Sequence, residues 1–122
     1  PAEQIVTMHF MVDSRFFSPT AVQRRRTSSR PQLCAVGIEA RDYPTLIKAV
    51  EGLELDLVIA ASSPWSHQAD SSSGITPPPN VCINRDPKLD VRQLYADSDL
   101  VVMPLFNVDR AAGSTAILEA MS

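Results

Sequence analysis

Four features of this sequence carry the residue types that anion chemistry needs. Gly37 ends an apolar run, and Arg41 follows it just ahead of a helical pattern. Gly113 and Ser114 stand in the small-residue run Ala112-Gly113-Ser114-Thr115, which opens another helical pattern. A glycine lets backbone approach a ligand closely. A helix N-terminus offers unpaired N–H groups and a partial positive charge, and a guanidinium adds a full one. Two helix starts facing one crevice suit a diphosphate, where a charge-assisted hydrogen bond contributes about 1.5–3 kcal/mol. The competing readings are a tight turn for Gly37 and a surface ion pair with Asp42 or Glu39 for Arg41. The fourth feature is Glu119, which interrupts the apolar run Ala116-Ile117-Leu118-Glu119-Ala120-Met121. A carboxylate in such a run is costly unless it is paired or at a ligand. It is either a solvent-facing helix position or an acceptor of the kind that holds ribose hydroxyls.

Other chemistry-bearing residues point to less. Cys34 and Cys82 sit in strand-like apolar runs and read as small buried hydrophobes, not a disulfide or metal pair. That usage predicts a reducing, cytoplasmic compartment. His9 and His67 lack the spacing of a zinc site. Trp65 and His67, in a long polar loop, read as surface or packing residues. Arg24-Arg25-Arg26 with Arg30 reads as a solvated linker, the competing reading being a phosphate or partner patch. With 14 acidic and 11 basic residues the net charge is −3, which speaks against a nucleic-acid partner. No apolar run approaches the roughly 20 residues that span a bilayer.

These residues must be positioned by regular elements. Residues 4–12 read as a short strand or extended arm, and 18–31 as a Pro-, Ser- and Arg-rich linker with a short helix near Ala21 to Arg25. Apolar runs at 32–37, 55–61, 80–84 and 100–105 read as buried strands. Between them, 44–53 is an amphipathic helix with Asp42 as cap and Gly52 as stop, and 87–97 is a second helix. Residues 62–79 form a polar loop. A last helix begins at 113, capped by Ser114 or Thr115, with Ile117, Ala120 and Met121 on its apolar side. Apolar runs without alternation, separated by helices, mean a parallel sheet covered on both faces: an α/β, Rossmann-like fold. In such sheets ligands bind outside the carboxyl ends of the strands. That rule selects segments 37–43, 62–66, 84–86 and 106–115.

The same residues carry a resemblance. The stretch Val36 to Val50, with Leu57-Val58-Ile59-Ala60-Ala61, resembles the first strand, helix and second strand of the C-terminal domain in GT-B-fold glycosyltransferases. Leu94 to Leu105 resembles that family's "lyxxadvvvxPs" helix and strand, and Ala116 to Met121 its "xxLEAMA" helix. Val12 to Pro19 resembles the "gvDxxxFxP" arm. By these motifs the chain resembles the retaining, glycogen-synthase-like enzymes of carbohydrate biosynthesis. The resemblance implies a hexosyltransferase whose donor is a nucleoside diphosphate sugar, with no cofactor and no metal. It implies that Arg41 contacts the donor phosphates, Glu119 holds the ribose, Asn84 and Arg85 border the base, and backbone amides at Gly113 and Ser114 meet the phosphates. It also implies an N-terminal Rossmann domain carrying the acceptor site, and peripheral membrane association of the full protein.

Two departures stand out. The first glutamate of the family's Glu-x7-Glu motif falls at Ala111, with Asp109 two positions away, and the usual arginine after the first strand's glycine is Ile38. They motivate an alternative, a degenerate non-catalytic nucleotide- or protein-binding module of the same fold. A third reading, an unrelated flavodoxin-like protein, stays open until nucleotide binding is measured. An unrelated Rossmann enzyme is expected to carry a Gly-rich fingerprint, which Gly37-Ile38-Glu39-Ala40-Arg41 lacks. The expected organisation is an arm and linker over 1–31 and a partial nucleotide-sugar-binding domain over 32–122. The start at Pro1 without Met or signal peptide, and the end at Ser122 in mid-motif, lead to the expectation of a domain cut short and inactive alone.

Overall fold

The computed structural model describes residues 4–122. Strands and helices alternate along it as β1 (Gln32–Val36), α1 (Tyr43–Val50), β2 (Asp56–Ala60), β3 (Val81–Asn84), α2 (Val91–Asp97), β4 (Leu100–Val101) and α3 (Ser114–Met121). All strand pairs are parallel, in the order β3-β2-β1-β4. The chain builds outward from β1 to β3, then returns to the far side of β1. The loops after β1 and β4 therefore leave the sheet at a reversal of direction, where a crevice opens.

Both faces of the sheet are covered, which explains the apolar runs. Leu33, Ala35, Leu57, Ile59 and Val81 pack on the side of α1, against Tyr43, Leu46, Ile47 and Val50. Cys34, Val36, Val58, Ala60 and Val101 pack on the other side, against Leu94 and Tyr95 of α2. Alternate residues of each strand thus serve opposite layers.

The element ends differ from the expected ones for local reasons. Asp42 caps α1 as expected, accepting from Thr45 N at 3.2 Å. The helix stops at Val50, where Glu51 leaves the helical region (φ −57°, ψ 127°) and Gly52, the expected stop, takes the left-handed one at φ 73°. Asn80 Nδ2 then donates to Val50 O at 2.8 Å, and Arg30 Nη2 donates to Leu53 O, past the helix, at 3.0 Å. The second helix begins at Val91, four residues late, where Asp90 caps Gln93 N at 3.2 Å. Strand β4 has only 2 residues. Pro104 brings no N–H to a ladder, and its carbonyl accepts from Asp42 N at 3.0 Å in the crossing loop.

Other expectations are corrected. The cap of α3 is Gly113, in the left-handed region at φ 79°, and neither Ser114 nor Thr115 caps it by side chain. The helix's Ile117 and Met121 are exposed, as is Leu100 of β4, along the open edge of the sheet. Cys34 is buried, but Cys82 is exposed on the edge strand β3. Residues 5–12 form no strand, and the segment from Ala21 to Arg25 forms no helix, only a turn closed by Ala21 N to Ser18 O at 2.9 Å.

Much of the basic run is tied to carboxylates of the folded core. Arg24 pairs with Asp99 at 2.8 Å, and Arg26 with Asp56 at 2.6 Å. The backbone N–H groups of Arg25 and Arg26 both donate to Asp97 Oδ1, and Arg30 lies 3.2 Å from Asp56. The guanidinium groups of Arg24, Arg26 and Arg30 strap the segment across the amino-terminal edge of the sheet, at the end opposite the crevice. Among the described residues no helix is long and apolar enough to cross a membrane.

Candidate functional site

The crevice is a cleft of about 540 Å³. The loop from Gly37 to Arg41, the segment 62–65 and the segment 111–115 line it, with Glu119 on α3 and Phe10 from the arm. Of the seven residues singled out by sequence, the fold brings Gly37, Arg41, Gly113, Ser114 and Glu119 together here.

Asn84 and Arg85 fall outside this lining. Asn84 ends β3, two strands from the reversal, and its Oδ1 accepts from Asp86 N at 2.8 Å. Arg85 is used structurally. Its Nε donates to Asp70 Oδ2 at 2.8 Å and its Nη2 to Ser72 O at 3.1 Å, which anchors the loop before β3. Ser72 is fully buried there.

Arg41 is the centre of the site. It is 4% exposed, so burial pulls its pKa below the ordinary arginine value. Its Nε donates to Val36 O at 3.0 Å and its Nη1 to Glu39 O at 2.6 Å. These are neutral carbonyls. Among the described residues Arg41 forms no ion pair, and Nη2 has no protein acceptor. The nearby Glu39 carboxylate is committed elsewhere. Its Oε1 accepts from Ser66 Oγ at 2.5 Å and its Oε2 from Arg110 Nη1 at 2.9 Å. Those two donors, Ser66 first, hold the Glu39 carboxyl below the usual carboxylate range. The positive charge at the cleft floor is therefore uncompensated by a paired carboxylate.

Two glycines make room for that guanidinium. At Gly37, φ 93°, an added Cβ would stand 3.0 Å from Arg41 Nη2. At Gly113, φ 79°, it would stand 2.9 Å from Met103 Sδ and 3.5 Å from Arg41 Nη1. Both positions also demand a backbone conformation that side-chain-bearing residues adopt at a cost. The Tyr43 hydroxyl donates to the Gly37 carbonyl and fixes the turn from the α1 side. Ala40 takes φ 53°, and its carbonyl accepts from Phe106 N at 2.9 Å. The β1 loop is thus pinned to the chain leaving β4, and the cleft floor is built from both sides of the strand reversal.

Glu119 hangs from α3 into the cleft wall. Its Oε2 accepts from the Tyr95 hydroxyl at 3.1 Å. Burial raises the Glu119 pKa, and the Tyr95 hydrogen bond partly opposes that. Burial and the neighbouring carboxylate push the Tyr95 phenol far above its ordinary value, so it remains a donor. Ala111 also lines the cleft, whereas Asp109 is not among its lining residues. Trp65, read from sequence as a surface or packing residue, lines the cleft and is 89% exposed. Its position just past the end of β2 was the sequence signal. His67 is absent from the lining. Among the described residues no group of three or more metal-ligating side chains stands together.

Arg41, the N-terminus of α3 and Glu119 together offer a cationic floor and an acidic acceptor in one cleft, which can bind an anion that also carries hydroxyl groups. Compared with protein families, with curated proteins and with solved structures, the chain finds no match. The class defined by fold and site is an α/β protein with a parallel four-stranded sheet and an anion-suited cleft at its strand reversal.

Proposed function

We propose that this chain is the donor-nucleotide-binding part of a retaining GT-B-type glycosyltransferase, transferring a hexosyl group from a nucleoside diphosphate sugar. One observation carries the reading: Arg41 is buried, charged and without an ion-pair partner, its guanidinium set between two glycines and its Nη2 without a protein acceptor, at the switch point of a parallel sheet. A buried cation left without a carboxylate is costly, and a diphosphate in the cleft would compensate it. Breaking the bond between the sugar and the diphosphate places growing negative charge on the leaving group. Arg41 and the amides at Gly113 and Ser114 would stabilise that charge without reorganising. Glu119 would accept hydrogen bonds from the ribose hydroxyls, with Tyr95 holding its second oxygen in place. The acceptor site would lie on a further, N-terminal Rossmann domain.

A second reading has its own observation. Ala111 lines the cleft at the place where the resemblance calls for a glutamate toward the sugar. A cleft that binds the nucleotide and lacks that carboxylate describes a binding module without transfer.

Calorimetry with UDP, ADP and GDP tests the binding common to both readings. We expect at least one to bind, and Glu119→Ala to weaken it about tenfold, the loss of a hydrogen bond to a charged group. Unchanged affinity in Glu119→Ala sinks the ribose assignment. Hydrolysis or transfer of sugar from the matching donor by the longer protein would separate enzyme from module.

A further inference from the structure

The cleft lining is chemically mixed: Arg41, Gly37, Gly113 and Ser114 contribute to it, and so do Pro64 and Trp65. We infer that Trp65 is the stacking platform for the nucleobase, an inference that rests on the nucleotide reading of the cleft.

At 89% exposure, Trp65 presents the most open large apolar side chain of the described residues. Phe16 packs edge-on to Phe17 at 5.1 Å, and Phe17 tilts against Tyr95 at 6.3 Å; Phe10, the other aromatic group lining the cleft, is less open at 64%. Trp65 makes no such ring pair among the described residues. Its backbone, by contrast, is held. Trp65 N donates to Ser63 Oγ at 3.3 Å, and Ser66 Oγ donates to Glu39 at 2.5 Å. Gln68 then accepts from Ala40 N at 3.2 Å. The segment bearing the indole is therefore laced to the loop bearing Arg41, two residues beyond Glu39. With its backbone held, the indole has only two χ angles to order on stacking, which keeps that cost modest.

A ligand filling this cleft needs an anionic end for Arg41 and a planar face for Trp65. A nucleoside diphosphate carries both on one molecule. Each base has a π face, so stacking on an indole adds affinity with little preference among bases. Trp65 accordingly contributes tightness rather than base identity.

The chain has a single tryptophan, so its emission reports on this residue alone. Titrations with UDP, ADP and GDP should quench that emission, while inorganic pyrophosphate should bind without quenching. Trp65→Ala, a change at an exposed side chain, should lower nucleoside diphosphate affinity about tenfold or more by calorimetry. It should leave pyrophosphate affinity within about twofold, and Trp65→Phe should restore most of the loss. Nucleotides binding Trp65→Ala as tightly as the parent would overturn the stacking role and leave the nucleotide reading standing. Failure of the parent chain to bind any of the three nucleotides would overturn both.

Discussion

Replacing Arg41 by Met is the most informative single change to this protein. Methionine keeps much of the stem volume and removes the guanidinium. On the fold, two effects oppose. The carbonyls of Val36 and Glu39 lose donors at 3.0 and 2.6 Å, and each orphaned acceptor costs about 1–3 kcal/mol where it stays dry. Against this, the variant no longer buries an unpaired cation at 4% exposure, a penalty of several kcal/mol per ion. The net change in stability should therefore be small, within about 1–2 kcal/mol of the parent by urea denaturation. On the ligand, nothing opposes. The free Nη2 is gone, and a charge-assisted bond of about 1.5–3 kcal/mol corresponds to roughly 10- to 150-fold in affinity for pyrophosphate or a nucleoside diphosphate. Calorimetry on the folded variant reads that loss directly. A folded Arg41→Met chain that binds diphosphate within about twofold of the parent would refute the assignment of Arg41 as the anion-binding group. A variant losing far more stability than this would refute the claim that its charge is unpaired in the free protein.

Two further predictions separate local strain from site geometry. Gly113→Ala should destabilise the fold by about 1–3 kcal/mol, through left-handed strain and the forced displacement of Met103, and should also weaken diphosphate binding. Gly52→Ala is its control, with φ 73° and nothing within 4 Å of the added Cβ. It should cost about 1 kcal/mol and leave affinity untouched; an equal affinity loss in both would mean that Gly113 acts only through stability. The arginine strap should respond to acid. Partial burial disfavours the Asp97 carboxylate, yet the N–H groups of Arg25 and Arg26 and the Gln93 amide hold its pKa below the usual range. Gln32 N and Arg24 lower that of Asp99. Folded values below unfolded ones mean stability that is present above the ordinary carboxylate range and lost as pH falls through the folded values. Arg26→Met should cost about 1–2 kcal/mol at neutral pH, and the Asp97→Asn variant should flatten the acid limb of a melting-temperature profile. An unaltered acid limb would place that pH dependence elsewhere.

Much of the fold was legible because burial on both faces leaves a local signature. The runs at β1 and β2 contain almost no polar residue, and the Asp42 cap is chemistry confined to four consecutive residues. Helix and strand ends were less legible, since distant groups decide them. Asn80, thirty residues on, takes the Val50 carbonyl at the end of α1, and a crossing loop cuts β4 short beside Pro104. The partners of the basic run were not legible, because arginine spacing says nothing of where its carboxylates lie; Asp56, Asp97 and Asp99 meet it only across the folded edge.

By itself the sequence determined which segments are apolar enough to form a sheet, which small residues open the loops after them, and that Arg41 and Glu119 are the charged groups worth watching. Tertiary structure decided which of those loops share a cleft. The order β3-β2-β1-β4 sets the loop after β1 beside the chain leaving β4, so Arg41 meets Gly113 across 72 residues of sequence, while Asn84 and Arg85 stay two strands away. Strand order is settled by pairing and layer packing summed over the whole sheet, a quantity no local pattern encodes. The open face of Trp65 likewise exists only because the folded chain leaves nothing to cover it.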